Sequence, residues 1–561
     1  MLVVSRSTAV LLFFLLSTAT AAEPGPRFKV SYATEAAAGP LDGRLILIVA
    51  VDESQEPRFQ VGRRTDTAQT YGVDVEDWRP GAVVEIDGDV QGHPLGSTSE
   101  LDDGTYHVQA VLHVYETFNR ADGHTIKLPA DDGEGQKWKR SPGNLYSVSQ
   151  QVDIAPGASI EVKLTEVIPS VEAPTDTRYV RHFRRRSELL SEFWGAPVHI
   201  GAIVLVPEGF DDDPDARYPV VYLQGHFQPN ARFFRETPPD PDASGRQLRR
   251  QSSAYEFHEH WVAGRLPKML VVLTQHATPY YDDSYGVDSA NTGPYGRALT
   301  EEFYPALEQE FRAMGEPWAR VLAGGSTGGW ISLAQQIFYP DFFGGAWGWC
   351  PDPVDFHAFQ LLDVYDEDAN AFYDAGPFKK IERPTGRSSD GRVFMTNRDF
   401  TLQEYVLGSK GRSGGQLDAF HSLFGPVDKD GYPAPLWDPL TGQVDRDVAQ
   451  HWTDHYDLTG KLRREWETLG PRLIGKLHVT MGTKDTFYLD GGVHLLEEFL
   501  ERTKEPGKGP YYGGSVTWGD NEPHCYTGSP EGQNNMRYHL GLFADHMTRM
   551  APEGADTSSW R

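Results

Sequence analysis

Apolar and polar positions follow two different periodicities along the chain. From about Phe28 to Glu166, short segments alternate between apolar and polar residues and are separated by Gly, Pro and Asp turns. Such alternation predicts β-strands. The predicted strands are Arg44–Asp52, Gly81–Asp87, Thr105–Glu116 and Ser159–Val167. No helical pattern lies between these segments, so residues 23–170 are predicted to form an all-β domain.

The spacing of these strands is typical of an immunoglobulin-like β-sandwich. We expect this domain to fold separately and to contribute no catalytic group, since no cluster of reactive side chains occurs in it. A linker is predicted over residues 171–197, which contain Pro174. The basic run Arg181–Arg186 in this linker is interpreted as a solvated helix face.

From about Val198 onwards, strand patterns alternate with helical ones. The predicted strands are His199–Phe210, Tyr218–Gly225, Lys268–Gln275, Ala319–Gly325, Gly345–Asp352, Lys476–Asp485 and Gly514–Gly519. The predicted helices are Ala298–Met314, Trp330–Tyr339 and His494–Lys504. This alternation predicts an α/β domain over residues 198–561, with a mostly parallel sheet and helices on both faces.

One long segment interrupts that alternation. Residues 351–470 show little regularity but contain many aromatic residues and glycines. Loops of this length in compact domains are usually functional covers or disordered linkers. The aromatic content favours an ordered cover over a site.

The N-terminus has the order of features of a secretory signal peptide. Arg6 precedes the apolar run Ala9–Leu16, and small residues follow at Ala19–Ala22. The apolar run is too short to span a bilayer, so residues 1–22 are predicted to be a cleaved signal peptide, with an uncleaved anchor as the alternative. The mature protein is predicted to be secreted or periplasmic and not bound to a membrane.

Charge and cysteine usage exclude several classes of partner and cofactor. The chain has 52 basic and 80 acidic residues and a net charge of −28, which argues against binding to nucleic acid or to anionic membranes. Its only cysteines, Cys350 and Cys525, form neither a disulfide framework nor a zinc-binding spacing. An oxidising compartment permits a disulfide between them. Two unpaired, buried cysteines are the alternative.

No sequence pattern predicts a cofactor or a metal. The chain lacks a dinucleotide fingerprint and a phosphate-binding loop. Asp282, Asp283 and Asp288 could bind calcium, but their spacing matches no calcium-binding loop. We therefore interpret this segment as a polar loop.

The segment Gly324–Gly328 carries the most specific chemical signal. It matches G-x-S-x-G, with Ser326 at its centre, and lies between a predicted strand and a predicted helix. This motif at a strand-to-helix junction holds a serine hydroxyl above the sheet as a nucleophile. Ser326 is therefore the predicted catalytic nucleophile.

A serine nucleophile needs a histidine base and a carboxylate that orients the base. Asp485 follows one predicted strand, and His524 follows the next. Ser326, Asp485 and His524 thus occur in the order Ser, Asp, His, with each at the carboxyl end of a strand. Asp490 and Asp520 remain alternatives for the acid.

The negative charge of the reaction intermediate needs fixed N–H donors. One predicted donor is the backbone N–H of Thr327, directly after the nucleophile. The other is the backbone N–H of His226, in the loop after the strand Tyr218–Gly225, with Phe227 as the alternative.

These segments resemble the esterase D-like branch of the α/β-hydrolase superfamily over the C-terminal two-thirds of the chain. The resemblance is carried by "YLQGHF", "GGSTGGW", "GTKD" and "PHCY". A β-domain before such a hydrolase is similar to the arrangement in enterochelin esterases and in some secreted carbohydrate esterases. Two departures are Gln224, where many relatives carry a histidine, and the long insertion after Cys350.

The resulting prediction is a carboxylic ester hydrolase that acts through an acyl-enzyme on a small-molecule or carbohydrate-linked ester. An acyltransferase with the same triad is one alternative. A catalytically inactive binding protein with a hydrolase fold is a second alternative, and a peptidase is a third.

Overall fold

The computed structural model describes residues 25–64, 66–131, 133–530 and 535–560. The predicted signal peptide, residues 1–22, lies outside the described residues. Within the described part of the chain, no helix combines the length and the apolar character needed to cross a membrane.

The N-terminal part consists mainly of β-strands. They are β1 (Arg27–Tyr32), β2 (Leu41–Ala50), β3 (Gln69–Trp78), β4 (Val84–Ile86), β5 (Gly92–His93), β6 (Gly104–Asn119), β7 (Thr125–Leu128), β8 (Leu145–Tyr146), β9 (Gln150–Ile154), β10 (Ser159–Leu164) and β11 (Glu166–Val167), with the short helix α1 (Pro57–Gln60).

These strands form two sheets that share one apolar core. One has the order β10-β1-β4, and the other has the order β11-β8-β6-β2-β3-β5. Alternate residues of both sheets, such as Phe28, Val30, Leu45 and Leu47, are buried between them. The all-β character agrees with the sequence, and the immunoglobulin-like type stays a prediction.

Besides these two sheets, a mostly parallel sheet forms the centre of the molecule. Its strands are β12 (Val180–Ser187), β13 (Val198–Leu205), β14 (Val220–Gln224), β15 (Leu270–Gln275), β18 (Arg320–Gly325), β19 (Gly345–Trp349), β24 (Leu477–Gly482) and β25 (Ser515–Gly519). The spatial order is β12-β13-β15-β14-β18-β19-β24-β25. From β15 to β25 neighbouring strands are parallel, whereas β13 is antiparallel to both of its neighbours.

The basic run Arg181–Arg186 was expected to be a helix face, and this expectation is wrong. It lies in β12, at the edge of the central sheet, and the helix α2 (Glu188–Trp194) follows it directly. Most of the predicted linker is therefore regular structure. Charged side chains are common on edge strands because they discourage pairing with another chain, which explains why this strand lacks the apolar pattern of a buried one.

Helices pack around the central sheet. They are α3 (Gly245–Val262), α4 (Tyr295–Arg297), α5 (Tyr304–Glu310), α6 (Thr327–Phe338), α11 (Asp490–Arg502) and α12 (Asn535–Met550). A π-helical stretch, Ala298–Phe303, joins α4 to α5, and the short strands β16 (Asp288–Ser289) and β17 (Gly293–Pro294) precede it.

The insertion 351–470 is ordered and largely helical. It contains the hairpin strands β20 (Tyr373–Ala375), β21 (Lys380–Glu382), β22 (Pro384–Arg387) and β23 (Val393–Thr396), and the helices α7 (Asn397–Leu407), α8 (Gln416–Phe424), α9 (Arg446–His455) and α10 (Leu458–Leu473). Its aromatic residues, among them Phe420, Phe424 and Trp452, are buried in the same core as the central sheet. The aromatic content thus reflects a packed subdomain.

The N-terminal part shares that core as well. Phe118, Ile126 and Leu128, from β6 and β7, belong to the apolar cluster of the central sheet. The ring of Phe118 lies 5.4 Å from that of Trp194 in α2. The N-terminal part therefore packs directly against the central sheet, and its separate folding stays a prediction.

Candidate active site

Ser326 occupies the sharp turn between β18 and α6. It directly follows Gly325, the last residue of β18, and precedes Thr327, the first residue of α6. Its backbone angles are φ 58° and ψ −124°. A non-glycine residue rarely adopts such a conformation, and strained turns of this kind present a nucleophile above the sheet.

The glycines around Ser326 are explained by close backbone approaches. A Cβ atom on Gly328 would lie 2.1 Å from the carbonyl oxygen of Gln224 in β14, and one on Gly324 would lie 2.5 Å from Gly328. A Cβ on Gly329 would lie 2.8 Å from the Trp349 oxygen, whereas one on Gly325 would be 3.7 Å from the nearest atom. Three of the four glycines therefore let α6 approach the sheet.

Asp485 and His524 are in direct contact. The Nδ1 atom of His524 lies 2.6 Å from Oδ2 of Asp485, whose side chain is fully buried. The other carboxylate oxygen of Asp485 accepts hydrogen bonds from the backbone N–H groups of Phe487 and Leu489. Burial would lower the pKa of His524, but Asp485 and the adjacent Cys525 raise it, to about 10.

The two alternative acids have other surroundings. Asp490 Oδ1 accepts a hydrogen bond from Arg387 at 3.2 Å. Asp520 is exposed and accepts a hydrogen bond from the Asn521 side chain. Of the three candidates, the geometry therefore favours Asp485.

Asp352 is a site residue that the sequence analysis missed. Ser326 Oγ donates to its Oδ1 at 3.4 Å, while Tyr285 OH and Thr327 Oγ1 donate to its Oδ2 at 2.7 and 2.9 Å. Among the described residues, no hydrogen bond joins Ser326 to His524. Hydrogen bonds in empty active sites are often long and tighten only when substrate binds.

Burial raises the pKa of the Asp352 carboxyl, and the hydrogen bonds from Tyr285 and Thr327 act in the opposite direction. In the sequence, the position of Asp352 after a strand pointed to the site. That strand is β19, which lies next to β18, the strand of the nucleophile.

The predicted oxyanion donors lie on both sides of the nucleophile. Thr327 is the first residue of α6, and the first N–H groups of a helix have no acceptor within the helix. His226 lies two residues after β14, the strand that pairs with β18. β14 and β18, the strands that lead to these two residues, both end at the carboxyl edge of the sheet.

The His226 side chain is itself exposed, but it contacts two buried carboxyl groups. Its Nδ1 lies 3.0 Å from Asp282 Oδ1 and 3.6 Å from Asp283 Oδ2. Lys137, from the N-terminal part, forms an ion pair with the other oxygen of Asp282. Burial would lower the pKa of His226, but Asp282 and Asp283 raise it.

The two carboxyl groups of this network respond differently. Burial would raise the pKa of Asp282, but His226 and Lys137 lower it to about 2. Burial and the charge of Asp282 raise the pKa of Asp283. The predicted polar loop is therefore part of the site, except for Asp288, which accepts a hydrogen bond from the backbone of Arg297.

The insertion also reaches this site, through Gln416 of α8. Tyr281 OH donates to Gln416 Oε1 at 2.6 Å, and the Gln416 amide donates to Tyr285 OH. Tyr285 in turn donates to Asp352. The insertion is thus connected to the nucleophile by a continuous chain of hydrogen bonds.

The structure brings the two cysteines together beside His524. Both are free thiols, Cys350 buried and Cys525 exposed. The backbone N–H of Cys525 donates to Cys350 Sγ at 2.8 Å. Cys350 and His524 lower the pKa of the Cys525 thiol, whereas Cys525 and burial raise the pKa of Cys350. The disulfide stays a prediction.

A cavity of about 190 Å³ lies beside the nucleophile turn. It is lined by Gly225, His226, Phe233, Trp349 and Met536, among others. A larger groove, of about 880 Å³, lies on the outer side of the 229–236 segment and carries none of the predicted catalytic residues. The smaller cavity is the better candidate for an acyl group because it adjoins both Gly325 and the predicted oxyanion loop.

Comparisons with known proteins found one sequence family and several solved structures that are similar to this chain. Residues 197–397 match the sequence model of a family described as "Putative esterase". No match was found among curated proteins.

The solved structures that match this chain include three hydrolases. A ferulic acid esterase is 13% identical, over 66% of this chain and 100% of that chain, with a TM-score of 0.34. An S-formylglutathione hydrolase from Agrobacterium tumefaciens is 14% identical, over 67% and 98% of the two chains, with a TM-score of 0.34. FphF, a fluorophosphonate-binding serine hydrolase from Staphylococcus aureus, is 11% identical, over 67% and 100%, with a TM-score of 0.31.

The family match covers β13, the nucleophile turn and the first part of the insertion. It confirms the predicted resemblance. Residues 197–397 are similar to the putative-esterase family, and this similarity supports a carboxylic ester hydrolase.

Proposed function

We propose that the protein is a secreted or periplasmic serine esterase that works through an acyl-enzyme. In this mechanism His524 removes the proton of Ser326 as the hydroxyl oxygen attacks the ester carbonyl. The proton then passes from His524 to the leaving alcohol. Water, activated by the same histidine, releases the acid and regenerates Ser326.

The hydrogen bond between His524 and Asp485 is the observation that carries this proposal. A buried carboxylate on Nδ1 holds the imidazole in the tautomer whose other nitrogen can accept a proton, and it stabilises the imidazolium that forms. Asp485 and His524 follow β24 and β25, and Ser326 follows β18 in the same parallel sheet. The carboxyl ends of these strands meet at one edge.

The negative charge of the tetrahedral intermediate requires N–H donors at the same edge. We assign this role to the backbone N–H groups of Thr327 and His226. Burial would lower the pKa of the His226 imidazole, but Asp282 and Asp283 raise it, which favours a positive charge beside the oxyanion. The mechanism uses no cofactor.

The proposed substrate is a small-molecule or carbohydrate-linked carboxylic ester. A cavity of about 190 Å³ next to Gly325 accommodates the acyl group, and the insertion covers the site through Gln416. We further propose an immunoglobulin-like type for the N-terminal β-domain. A screen with aryl, feruloyl, acetyl-sugar and siderophore esters would identify the acyl and alcohol groups.

A fluorophosphonate probe tests the nucleophile directly. The wild-type protein is expected to react with one probe per chain, and Ser326→Ala is expected to lose both labelling and ester hydrolysis. Ser332→Ala is a matched control, because Ser332 is a buried serine of the same helix that donates to the Gly328 carbonyl. Intact-protein mass spectrometry measures the label.

The same experiments separate the alternative functions. A folded wild-type protein that takes up no probe would indicate a binding protein and contradict the proposal. Labelling together with transfer of most acyl groups to an added sugar alcohol, instead of to water, would identify an acyltransferase.

A further inference from the structure

Three metal-binding side chains converge at the proposed catalytic histidine. Cys350, His524 and Cys525 each offer one donor atom, and these three atoms lie within 4.8 Å of one another. Cys350 is 175 residues away from Cys525 in the sequence. The spacing of a zinc motif is therefore absent from the sequence, although the donors meet in the fold.

The local backbone holds this arrangement in place. Cys525 adopts a φ of 69°, which is uncommon for a side-chain-bearing residue, and its N–H donates to Cys350 Sγ. Cys350 follows β19 directly, and its N–H donates to the Thr480 carbonyl in β24 at 2.6 Å. Cys350 is thus placed by β19 and its neighbour β24, and Cys525 is placed by the loop that follows β25.

The histidine is oriented in the way that metal-binding histidines usually are. Such a residue has one ring nitrogen on the metal and the other on a carboxylate or carbonyl, which fixes the ring and increases its basicity. In this protein Asp485 holds Nδ1 of His524 at 2.6 Å. Asp485, which orients His524 for catalysis, would also hold the ring of His524 in place when the other ring nitrogen binds a metal.

We propose that Cys350, Cys525 and His524 bind one thiophilic divalent cation of the zinc class, and that this cation inhibits the esterase reversibly. The inhibitory part rests on the proposed function, since it requires His524 to be the base. A cation on the imidazole occupies the lone pair that must accept the proton of Ser326. Binding releases the thiol protons to solvent.

The donor set fits zinc in both chemistry and size. Zinc binds thiolate sulfur at about 2.3 Å and imidazole nitrogen at about 2.0–2.1 Å, and two cysteines with one histidine is a known ligand set that leaves a fourth position open. Tetrahedral coordination at these lengths separates the donors by roughly 3.4–3.8 Å. Cys525 is exposed, so rotation of its side chain can close the remaining distance.

A second group of donors, His226, Asp282 and Asp283, is a poorer candidate for the same ion. Lys137 already pairs with Asp282, and His226 contacts both carboxyl groups directly, so the carboxylates have partners within the protein. Its two oxygen donors also prefer harder ions than zinc. This group provides a control within the same chain.

Cobalt and zinc titrations of the full chain test the proposal. The protein is kept reduced, freed of metal with a chelator and titrated with Co²⁺. A thiolate-to-cobalt charge-transfer band that saturates at one ion per chain is expected, and the same band in Ser326→Ala shows that binding needs no activity. Zinc is expected to displace cobalt and to stop ester hydrolysis, and a chelator is expected to restore it.

Cys525→Ser and Cys350→Ser identify the ligands. In each variant, measured relative to its own rate without zinc, the zinc concentration for half-inhibition is expected to rise on the order of 100-fold or more, since even loss of an outer partner costs 10–100-fold in affinity. Asp283→Asn is expected to bind cobalt as the wild type does.

Three results would overturn the metal site. They are no cobalt band, a band that persists in both cysteine variants, and no titratable thiols in protein prepared without reductant, which would show a disulfide. Stoichiometric zinc binding without inhibition would preserve the metal site, but would contradict the inhibitory part of the proposal and the role of His524 in the proposed function.

Discussion

At the scale of single residues, the roles of the two carboxylates near His524 differ sharply. Asp485 is fully buried on the imidazole, whereas Asp490 is partly exposed and paired with Arg387. The distinction between orienting acid and neighbouring ion pair therefore lies in contacts that sequence order cannot show.

Exchanging each acid for its amide tests that distinction. Asp485→Asn is expected to lower kcat by roughly 10⁴-fold, because an amide on Nδ1 favours the wrong imidazole tautomer. Asp490→Asn is the matched control and is expected to stay within about tenfold of the wild type, since an exposed ion pair contributes little. Steady-state kinetics on one aryl ester measures both. A near-normal Asp485→Asn beside an inactive Asp490→Asn would reverse the assignment.

Ser326, Asp485 and His524 could be selected from the sequence because each follows a predicted strand in a known order. Asp352 and Lys137 could not. The contact of Asp352 with Ser326 depends on which strand lies next to β18, and Lys137 reaches the site from another sheet. The sequence around Asp352 and around Lys137 does not indicate either contact.

At the scale of elements, the junction of β18 and α6 is determined by how closely the helix approaches the sheet. Gly328 has no space for a Cβ, since that atom would lie 2.1 Å from the Gln224 carbonyl, while Gly325 has space for one. The two glycines look alike in the sequence, and only the packing distinguishes them.

Alanine at these two positions should therefore act differently. Gly328→Ala is expected to destabilise the protein by about 1–3 kcal/mol and to lower activity, because α6 must move away from β14. Gly325→Ala, three residues earlier, is the control and is expected to unfold near the wild-type temperature. Thermal unfolding followed by circular dichroism gives the comparison. Equal stability of the two variants would contradict the packing explanation.

The elements predicted best were those with strong periodicity, such as the central strands and the helix after Ser326. β12 was misread because three consecutive arginines, Arg184–Arg186, interrupt the alternation of apolar and polar residues on this edge strand. The four helices of the insertion were missed because three of them span 11 residues or fewer, and the longer α10 contains Gly460 and Pro471.

At the scale of the whole molecule, the N-terminal part is connected to the predicted oxyanion loop. Lys137 pairs with Asp282, and Asp282 holds His226. The Asp282 side chain is 3% exposed and that of Lys137 is 49% exposed, so the charge of the lysine is only partly screened by water.

Removing that charge tests the connection. Lys137→Met is expected to lower kcat/KM about tenfold or more, because Asp282 loses a partner and His226 shifts. Lys137→Arg should restore part of the activity. Lys139→Met is the control, because the Lys139 ammonium contacts the Val61 carbonyl within the N-terminal part. Equal activities of Lys137→Met and Lys139→Met would show that the ion pair between Lys137 and Asp282 holds the N-terminal part to the catalytic part without affecting catalysis.

The shared core of β6, β7 and α2 was not predictable from the strand pattern. Phe118 and Ile126 read as ordinary inward residues of a sandwich, and a single sequence does not show which core they enter.

Two buried arginines limit how the parts of this protein can be exchanged with those of other esterases. Arg44 donates to the carbonyls of Tyr405 and Val406 at the end of α7, and Arg412 of the insertion donates to Asp74 of β3. A graft that replaces the insertion alone would take two carbonyl acceptors from the buried guanidinium of Arg44 and leave Asp74 as its ion-pair partner. Loss of hydrogen-bond partners by a buried charge is costly. The N-terminal β-domain and the insertion therefore have to be exchanged together, although these contacts join residues 362 and 338 positions apart in the chain.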